Sequence, residues 1–253
     1  MTGLSISQLS KSFGGLQAVQ QVSFEVAPGE LVALIGPNGA GKSTTFNMIN
    51  GQLAPDEGDV LLSGKSLLGL TPQKIWRQGV ARTFQTAAIF GSMSVLENVQ
   101  MVLMSKDRRF GALLQRAHRY RPEQALALLE QLDLSPLAHQ GCQTLAYADI
   151  KRVELAVALA SEPSWLLMDE PTAGMAPAER QALMALTRSL AKQRQLGVLF
   201  TEHSMDVVFG YADRVLVMAQ GRLIAAGTPA EIQANEAVQA VYFGQQPVVE
   251  AAP

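Results

Sequence analysis

Apolar and polar residues alternate in Leu4-Ser5-Ile6-Ser7 and again in Val22-Ser23-Phe24-Glu25-Val26. That period puts one side of each segment in a core and the other in water, which predicts half-buried antiparallel strands, joined by Asp59-Val60-Leu61-Leu62. Three further runs are apolar without alternation: Leu31-Val32-Ala33-Leu34-Ile35, Trp165-Leu166-Leu167-Met168 and Gly197-Val198-Leu199-Phe200-Thr201. Strands covered on both faces read this way, so these three predict a parallel sheet. From Ser94 to Ala160 the spacing turns helical, with Ala125, Leu126, Leu128, Leu129 and Leu132 in one stretch and Val153, Leu155, Ala156 and Leu159 in another. Further on, Arg214-Val215-Leu216-Val217-Met218 and Arg222-Leu223-Ile224 flank Gln220-Gly221 as a hairpin. Thr228-Pro229-Ala230-Glu231 supplies a cap residue, a proline at the first helical position and a glutamate that can close a capping box. The expected fold is α/β, a parallel core with an N-terminal antiparallel β subdomain and an inserted helical subdomain.

The turn after the first buried run carries chemistry. Gly36-Pro37-Asn38-Gly39-Ala40-Gly41-Lys42-Ser43 stands between a strand and a helix start. Glycines let consecutive backbone N–H groups converge on phosphate oxygens, and the helix N-terminus adds partial positive charge. Lys42 would reach the β- and γ-phosphates, the Ser43 hydroxyl would ligate Mg²⁺, and Thr44 offers a hydroxyl toward the α-phosphate. This P-loop predicts a nucleoside triphosphate as ligand and makes the parallel core one of the P-loop NTPase type. Asp169-Glu170 closes the second buried run, at a strand end where open parallel sheets keep their active sites. An acidic pair at a strand end also describes an ordinary solvated loop start. Behind a phosphate cradle it reads as a Walker B motif, with Asp169 holding Mg²⁺ through its water shell and Glu170 polarising the attacking water.

Composition narrows the partners. A formal net charge of −2 over 253 residues gives no global reason to expect nucleic acid. The single cysteine, Cys142, has no partner for an internal disulfide and no metal-spaced companion, which points to a reducing compartment. Met1 to Ile6 lacks the charged and apolar regions of a signal peptide, and no window holds the run of about 18 apolar residues that a membrane span needs. Membrane contact, if any, is then local and peripheral.

Three further elements fall in order around the cradle, and with it they resemble an ABC-type ATPase, the nucleotide-binding subunit of ABC transporters. Arg82-Thr83-Phe84-Gln85 is similar to the Q-loop, Leu199-Phe200-Thr201-Glu202-His203 to the switch strand with its H-loop, and Phe13 stands at the aromatic A-loop position. The resemblance implies that Gln85 contacts Mg²⁺ or the attacking water, that His203 contacts the γ-phosphate, and that Phe13 stacks on adenine. A packed core aromatic is the other reading of Phe13. Leu145-Ala146-Tyr147-Ala148-Asp149 stands where the family has its signature L-S-G-G-Q, which faces the nucleotide held by the other subunit of a dimer. Ala146 lacks the hydroxyl, Ala148 replaces a glycine, and Asp149 puts a carboxylate near a polyanion. In Thr172-Ala173-Gly174-Met175-Ala176-Pro177 the family form S-A-L-D would place an aspartate at Ala176. Elements serving this chain's own nucleotide are kept and those reaching across the dimer are eroded, so a heterodimer with a second ABC ATPase subunit is expected.

Phe13-Gly14-Gly15-Leu16-Gln17-Ala18-Val19, the Leu-Ala-Tyr start of the signature, Ala173 to Pro177, Phe110 to Leu114 and the terminal Val241-Tyr242-Phe243-Gly244 resemble the larger ATPase subunit of branched-chain (hydrophobic) amino-acid uptake transporters. That implies two membrane-spanning permease subunits, a solute-binding protein acting indirectly, and a place on the cytoplasmic face of the plasma (inner) membrane. No ATPase residue touches cargo, so urea, amide or aromatic-acid uptake and lipid export stay open, as do a soluble non-transport ABC protein and a regulatory subunit. The ATPase domain is expected over residues 1–244, with the helical insert at about 90–161, and a short mobile tail over 245–253. Lys106, Arg108, Arg109, Arg116, His118, Arg119 and Arg121 form a basic cluster, either a solvated face or a contact for anionic headgroups. Thr86 to Gly91 would line a groove for a coupling helix of the membrane subunit, with core packing as the alternative for Ile89 and Phe90.

Overall fold

A computed structural model describes residues 3–83, 89–107 and 120–243, with side chains as far as residue 241. The chain opens with long antiparallel strands β1 (Leu4–Phe13) and β2 (Leu16–Val26), to which β4 (Glu57–Leu62) and the short β5 (Lys65–Ser66) add in the order β2-β1-β4-β5. A second sheet has six strands. At its centre is β3 (Leu31–Ile35), between β8 (Gly197–Thr201) and β9 (Arg214–Ala219), with β7 (Trp165–Asp169) and β6 (Val80–Thr83) beyond β8. These five run parallel, and β10 (Arg222–Gly227) closes the edge as an antiparallel hairpin with β9.

The pleat of the central strands explains why they read as unbroken apolar runs. Leu31, Ala33 and Ile35 enter one core, while Val32 and Leu34 enter another on the opposite face. The second core fills the space under the antiparallel sheet with Leu4, Ile6, Val22, Phe24 and Val60, and with Phe46, Met48 and Ile49 of helix α1 (Lys42–Ile49). The first core is covered by helices α3 (Val95–Lys106), α4 (Pro122–Glu130), α5 (Tyr147–Ala160) and α6 (Pro177–Arg194). A short α2 (Pro72–Arg77) precedes β6. Helices α7 (Met205–Tyr211), α8 (Pro229–Gln233) and α9 (Glu236–Phe243) complete the order.

The strands, hairpin and caps read from sequence are present. Gln220 and Gly221 both take positive φ, 49° and 79°, as a tight hairpin turn requires. Thr228 Oγ1 accepts from Glu231 N while Glu231 accepts from Thr228 N, the capping box expected there. In α4, Ala125, Leu128 and Leu129 are buried as expected but Leu126 is 37% exposed, because it sits on the outward side of the helical turn. The cores of α3, α4 and α5 are continuous with the sheet face, so these helices share apolar packing with the strands. Ile89 is partly buried against that core, whereas Phe90 is 56% exposed. Cys142 is buried and free, and burial pushes its thiol pKa up. Of the basic cluster, Lys106 pairs with Glu162 and Arg121 with Asp107; Arg108, Arg109, Arg116, His118 and Arg119 lie outside the described residues, as do the segment Phe110 to Leu114 and the tail 245–253. No helix among the described residues is long and apolar enough to cross a membrane.

Candidate functional site

The cradle is built where β3 hands the chain to α1. Gly36 is buried under the hairpin, and a Cβ there would lie 2.2 Å from the Met218 carbonyl oxygen. Gly41 takes φ 101°, and a Cβ there would lie 2.5 Å from the Ala18 carbonyl oxygen. Both glycines are therefore required by close backbone approach, which fixes the curve of the loop between them. Pro37, Asn38 and Gly39 at the crest are exposed, and Ala40 is tucked below with its carbonyl accepting from Gly221 N at 3.1 Å. Helix α1 starts at Lys42, so Ser43 and Thr44 lie in its first turn, where N–H groups have no helical partner. The Lys42 ammonium turns back over the loop and donates to the carbonyls of Gly36 at 2.7 Å and Pro37 at 3.1 Å. Burial holds the Lys42 pKa below its ordinary value, against the opposing pull of Glu170 and Asp169.

An open cleft of about 780 Å³ runs from this cradle to the antiparallel sheet, lined by Phe13, Leu16, Gln17, Asn38 to Thr44, Asp169, Glu170 and Gln220 among others. Phe13 is 50% exposed at its far end, which removes the reading of Phe13 as a packed core aromatic. Lys42, Ser43, Asp169 and Glu170 meet at the other end. Ser43 and Asp169 are hard oxygen donors on one cleft, the chemistry of a site for Mg²⁺ brought in with nucleotide phosphates.

Neighbouring strands hold the two carboxylates in different ways. Asp169 sits opposite Thr201 in the β7–β8 register. The Thr201 hydroxyl donates to Asp169 Oδ1 at 2.8 Å and accepts from Glu170 N at 3.0 Å, fixing both residues at once. Asp169 Oδ2 accepts from Arg82 Nη2 at 3.0 Å. Glu170 has φ 48°, a left-handed conformation that costs a side-chain-bearing residue about 1–3 kcal/mol and turns the chain sharply past the strand end. Its Oε1 lies 2.9 Å from His203 Nε2, and His203 is half exposed. Buried Glu202 accepts from Thr172 N at 2.9 Å, from Thr172 Oγ1 at 2.6 Å and from His203 N at 3.2 Å, joining the loop after β8 to the loop after β7.

Thus the residues expected around one nucleotide converge, apart from Gln85, which lies outside the described residues with Phe84, Thr86, Ala87 and Ala88. Leu145, Ala146, Tyr147, Ala148 and Asp149 do not line this cleft. They form the entry to α5, with Ala146 exposed at its N-cap and offering no side-chain cap. Asp149 is paired with Arg152 one turn on, so its negative charge is partly offset. The Tyr147 hydroxyl donates to the Ala173 carbonyl oxygen at 3.1 Å, tying this segment to the Thr172–Pro177 loop of the same chain. Sequence reading gave no role to Thr201, Arg82 or Glu202. No signal in the sequence marks them, because the register that sets Thr201 beside Asp169 is a property of the folded sheet.

Comparison with known proteins identifies the family. A family model described as "ABC transporter" matches residues 19–173, and one described as "Branched-chain amino acid ATP-binding cassette transporter" matches residues 222–247. The chain is 39% identical over 249 residues to the high-affinity branched-chain amino acid transport ATP-binding protein LivG of Escherichia coli (strain K12), covering 96% of this chain and 98% of LivG. It is 35% identical over 245 residues to the lipopolysaccharide export system ATP-binding protein LptB of the same organism, covering 97% and 98%. Among solved structures, the ADP conformation of MJ1267, an ATP-binding cassette of an ABC transporter, superposes with a TM-score of 0.86 at 32% identity, covering 97% of this chain and 100% of that one.

Proposed function

The chain belongs to the ABC transporter ATPase family, and from that premise we propose that it powers import of branched-chain or other hydrophobic amino acids by hydrolysing ATP on the cytoplasmic face of a membrane. The observation that carries hydrolysis is Glu170, its backbone N–H held by the Thr201 hydroxyl and its carboxylate beside His203, at the mouth of the cradle that holds Lys42. Glu170 is placed to take a proton from the attacking water, and His203 to orient that water or the γ-phosphate. Phe13 receives the base, Lys42 and the N–H groups of Gly39 to Thr44 receive the phosphates, and Gln85 reports their state. Ser43, Asp169 and Gln85 would hold Mg²⁺, whose charge neutralises the phosphates when bound. Similarity to LivG and the match at residues 222–247 support amino-acid uptake over lipid export.

The chain works as a dimer, with two permease subunits as its membrane partners. Ala146, Ala148 and Ala176 weaken the surface offered to a partner's nucleotide, which supports a heterodimer in which this subunit keeps the competent Walker site. The test is ATP turnover by this chain alone, by the chain with the second ATPase subunit of its transporter, and by that mixture carrying Glu170→Gln. Activity that needs the mixture and falls by about 100-fold or more with Glu170→Gln supports the proposal. Full turnover without a partner, or a mixture indifferent to Glu170→Gln, sinks it. Uptake of radiolabelled leucine against lipid extraction, in proteoliposomes carrying the co-purified permease, separates import from export.

A further inference from the structure

Arg82 lies on β6, three residues before Gln85, and has no part in the function described so far. Its guanidinium is fixed from several sides. Nη2 donates to Asp169 Oδ2 at 3.0 Å, and Nη1 donates to Asn47 Oδ1 at 2.8 Å and Gln52 Oε1 at 3.1 Å. The group stacks 5.7 Å from the centroid of Phe46, and its side chain is 8% exposed against 15% for Asp169. Asn47 stands one turn after Ser43 on α1, so one side chain spans the phosphate-loop helix and the acidic end of β7.

We propose that Arg82 is a resident cation at the metal end of the cleft, a positioning residue that holds Asp169 and sets the Mg²⁺ concentration at which nucleotide binds. This rests on the reading of the cleft as a site for a magnesium nucleotide. A guanidinium spreads its positive charge over a rigid planar fork. It is buried, so salt screens it little, and it is anchored to two amide oxygens and a ring, so it does not swing away when a second cation arrives. Thr201 already fixes Asp169 through its other oxygen, so orientation does not depend on Arg82 alone. What Arg82 adds is positive charge against the carboxylate, which a divalent cation must share and whose field it must oppose.

The experiment is calorimetric titration of ADP into the full chain across a series of MgCl₂ concentrations, for wild type, Arg82→Gln, Arg82→Lys and Asn47→Asp, with thermal melts as folding controls. Absence of ADP binding by wild type at every Mg²⁺ concentration overturns the nucleotide-site reading itself, and ADP affinity that does not depend on Mg²⁺ overturns the proposal about Arg82. With that dependence established, the half-saturating Mg²⁺ concentration is expected to fall about three- to tenfold in Arg82→Gln, where the charge is gone. It should stay within about twofold of wild type in Arg82→Lys, where charge remains. Asn47→Asp keeps Arg82 and compensates its charge, so it too should lower the Mg²⁺ requirement, and it decides the matter if Arg82→Gln does not fold. An unchanged or higher requirement in Arg82→Gln or Asn47→Asp, or a shift in Arg82→Lys equal to that in Arg82→Gln, overturns the proposal.

Discussion

Replacing Thr201 by valine keeps the β-branched shape and removes only the hydroxyl. That hydroxyl is almost fully buried and makes two bonds, one donated to Asp169 and one accepted from Glu170 N. A hydrogen bond to a charged acceptor contributes about 1.5–3 kcal/mol, and a buried N–H left without a partner costs about 1–3 kcal/mol. Asp169 keeps Arg82 and some solvent contact, so the sum is expected near 2–4 kcal/mol rather than at the upper limit. At about 2–4 °C per kcal/mol for a domain of this size, Thr201→Val should melt about 5–15 °C below wild type. Catalysis should suffer beyond stability. The bond to its N–H helps hold Glu170 in its left-handed backbone, and a displacement of about 1 Å in a catalytic base can cost about 100-fold in rate. Steady-state ATP hydrolysis in the assembled dimer, measured well below the melting temperature, should fall by that order, with Thr201→Ser restoring most of it. Turnover within twofold of wild type in folded Thr201→Val would refute the claim that this hydroxyl positions the two carboxylates.

Gly41→Ala should destabilise the chain by about 2–4 kcal/mol and weaken nucleotide binding at least about tenfold, because a Cβ meets the rigid Ala18 carbonyl at positive φ. Gly39→Ala, also at positive φ but with open space around the new carbon, should cost only about 1 kcal/mol; equal losses in denaturant titrations would refute the steric account. Asp213 is held below the ordinary carboxylate range: burial opposes ionisation but is outweighed by the bonds from Leu31 N and Lys192 and by the nearby Arg188. Its stabilising contribution is therefore complete above the ordinary value and lost as pH falls through the lower folded value. Asp213→Asn should be less stable than wild type by about 1–2 kcal/mol at neutral pH, and the gap should close as pH falls below the ordinary carboxylate value in paired denaturant melts.

Much of this fold was legible because single residues or short periods declare it. Alternation marked β1 and β2, unbroken apolar runs marked β3, β7 and β8, and Gln220-Gly221 and Thr228-Pro229 marked a turn and a helix start. The cradle was legible for the same reason, since two of its glycines, Gly36 and Gly41, are demanded by close backbone contacts. Arg82, Thr201 and Glu202 were not, because their roles exist only across strands. Arg82 acts on residues 35 and 87 positions away, and Glu202 on one 30 positions away. Thr201 looked like the polar end of an apolar strand until the register placed it beside Asp169. Leu126 misled for a related reason: helical spacing fixes a face only to within a residue, and neighbours in space decide which edge of the stripe is covered.

The place of β3 in the sheet has a consequence for how the chain is made. Strand Leu31–Ile35 pairs only with β8 and β9, both drawn from residues after 196, and the turn at Gly221 supplies the N–H that holds Ala40. When the phosphate loop leaves the ribosome, its strand has no neighbours, and about 180 more residues must be synthesised, roughly ten to forty seconds at ordinary rates, before the hairpin closes over it. During that interval five consecutive apolar residues are exposed, a hazard that early folding of β1, β2 and β4 can shield on one face only. The nascent chain thus carries an intact nucleotide motif that stays without function until its last third arrives, and truncation anywhere before the hairpin should yield an aggregating fragment rather than a smaller ATP-binding domain.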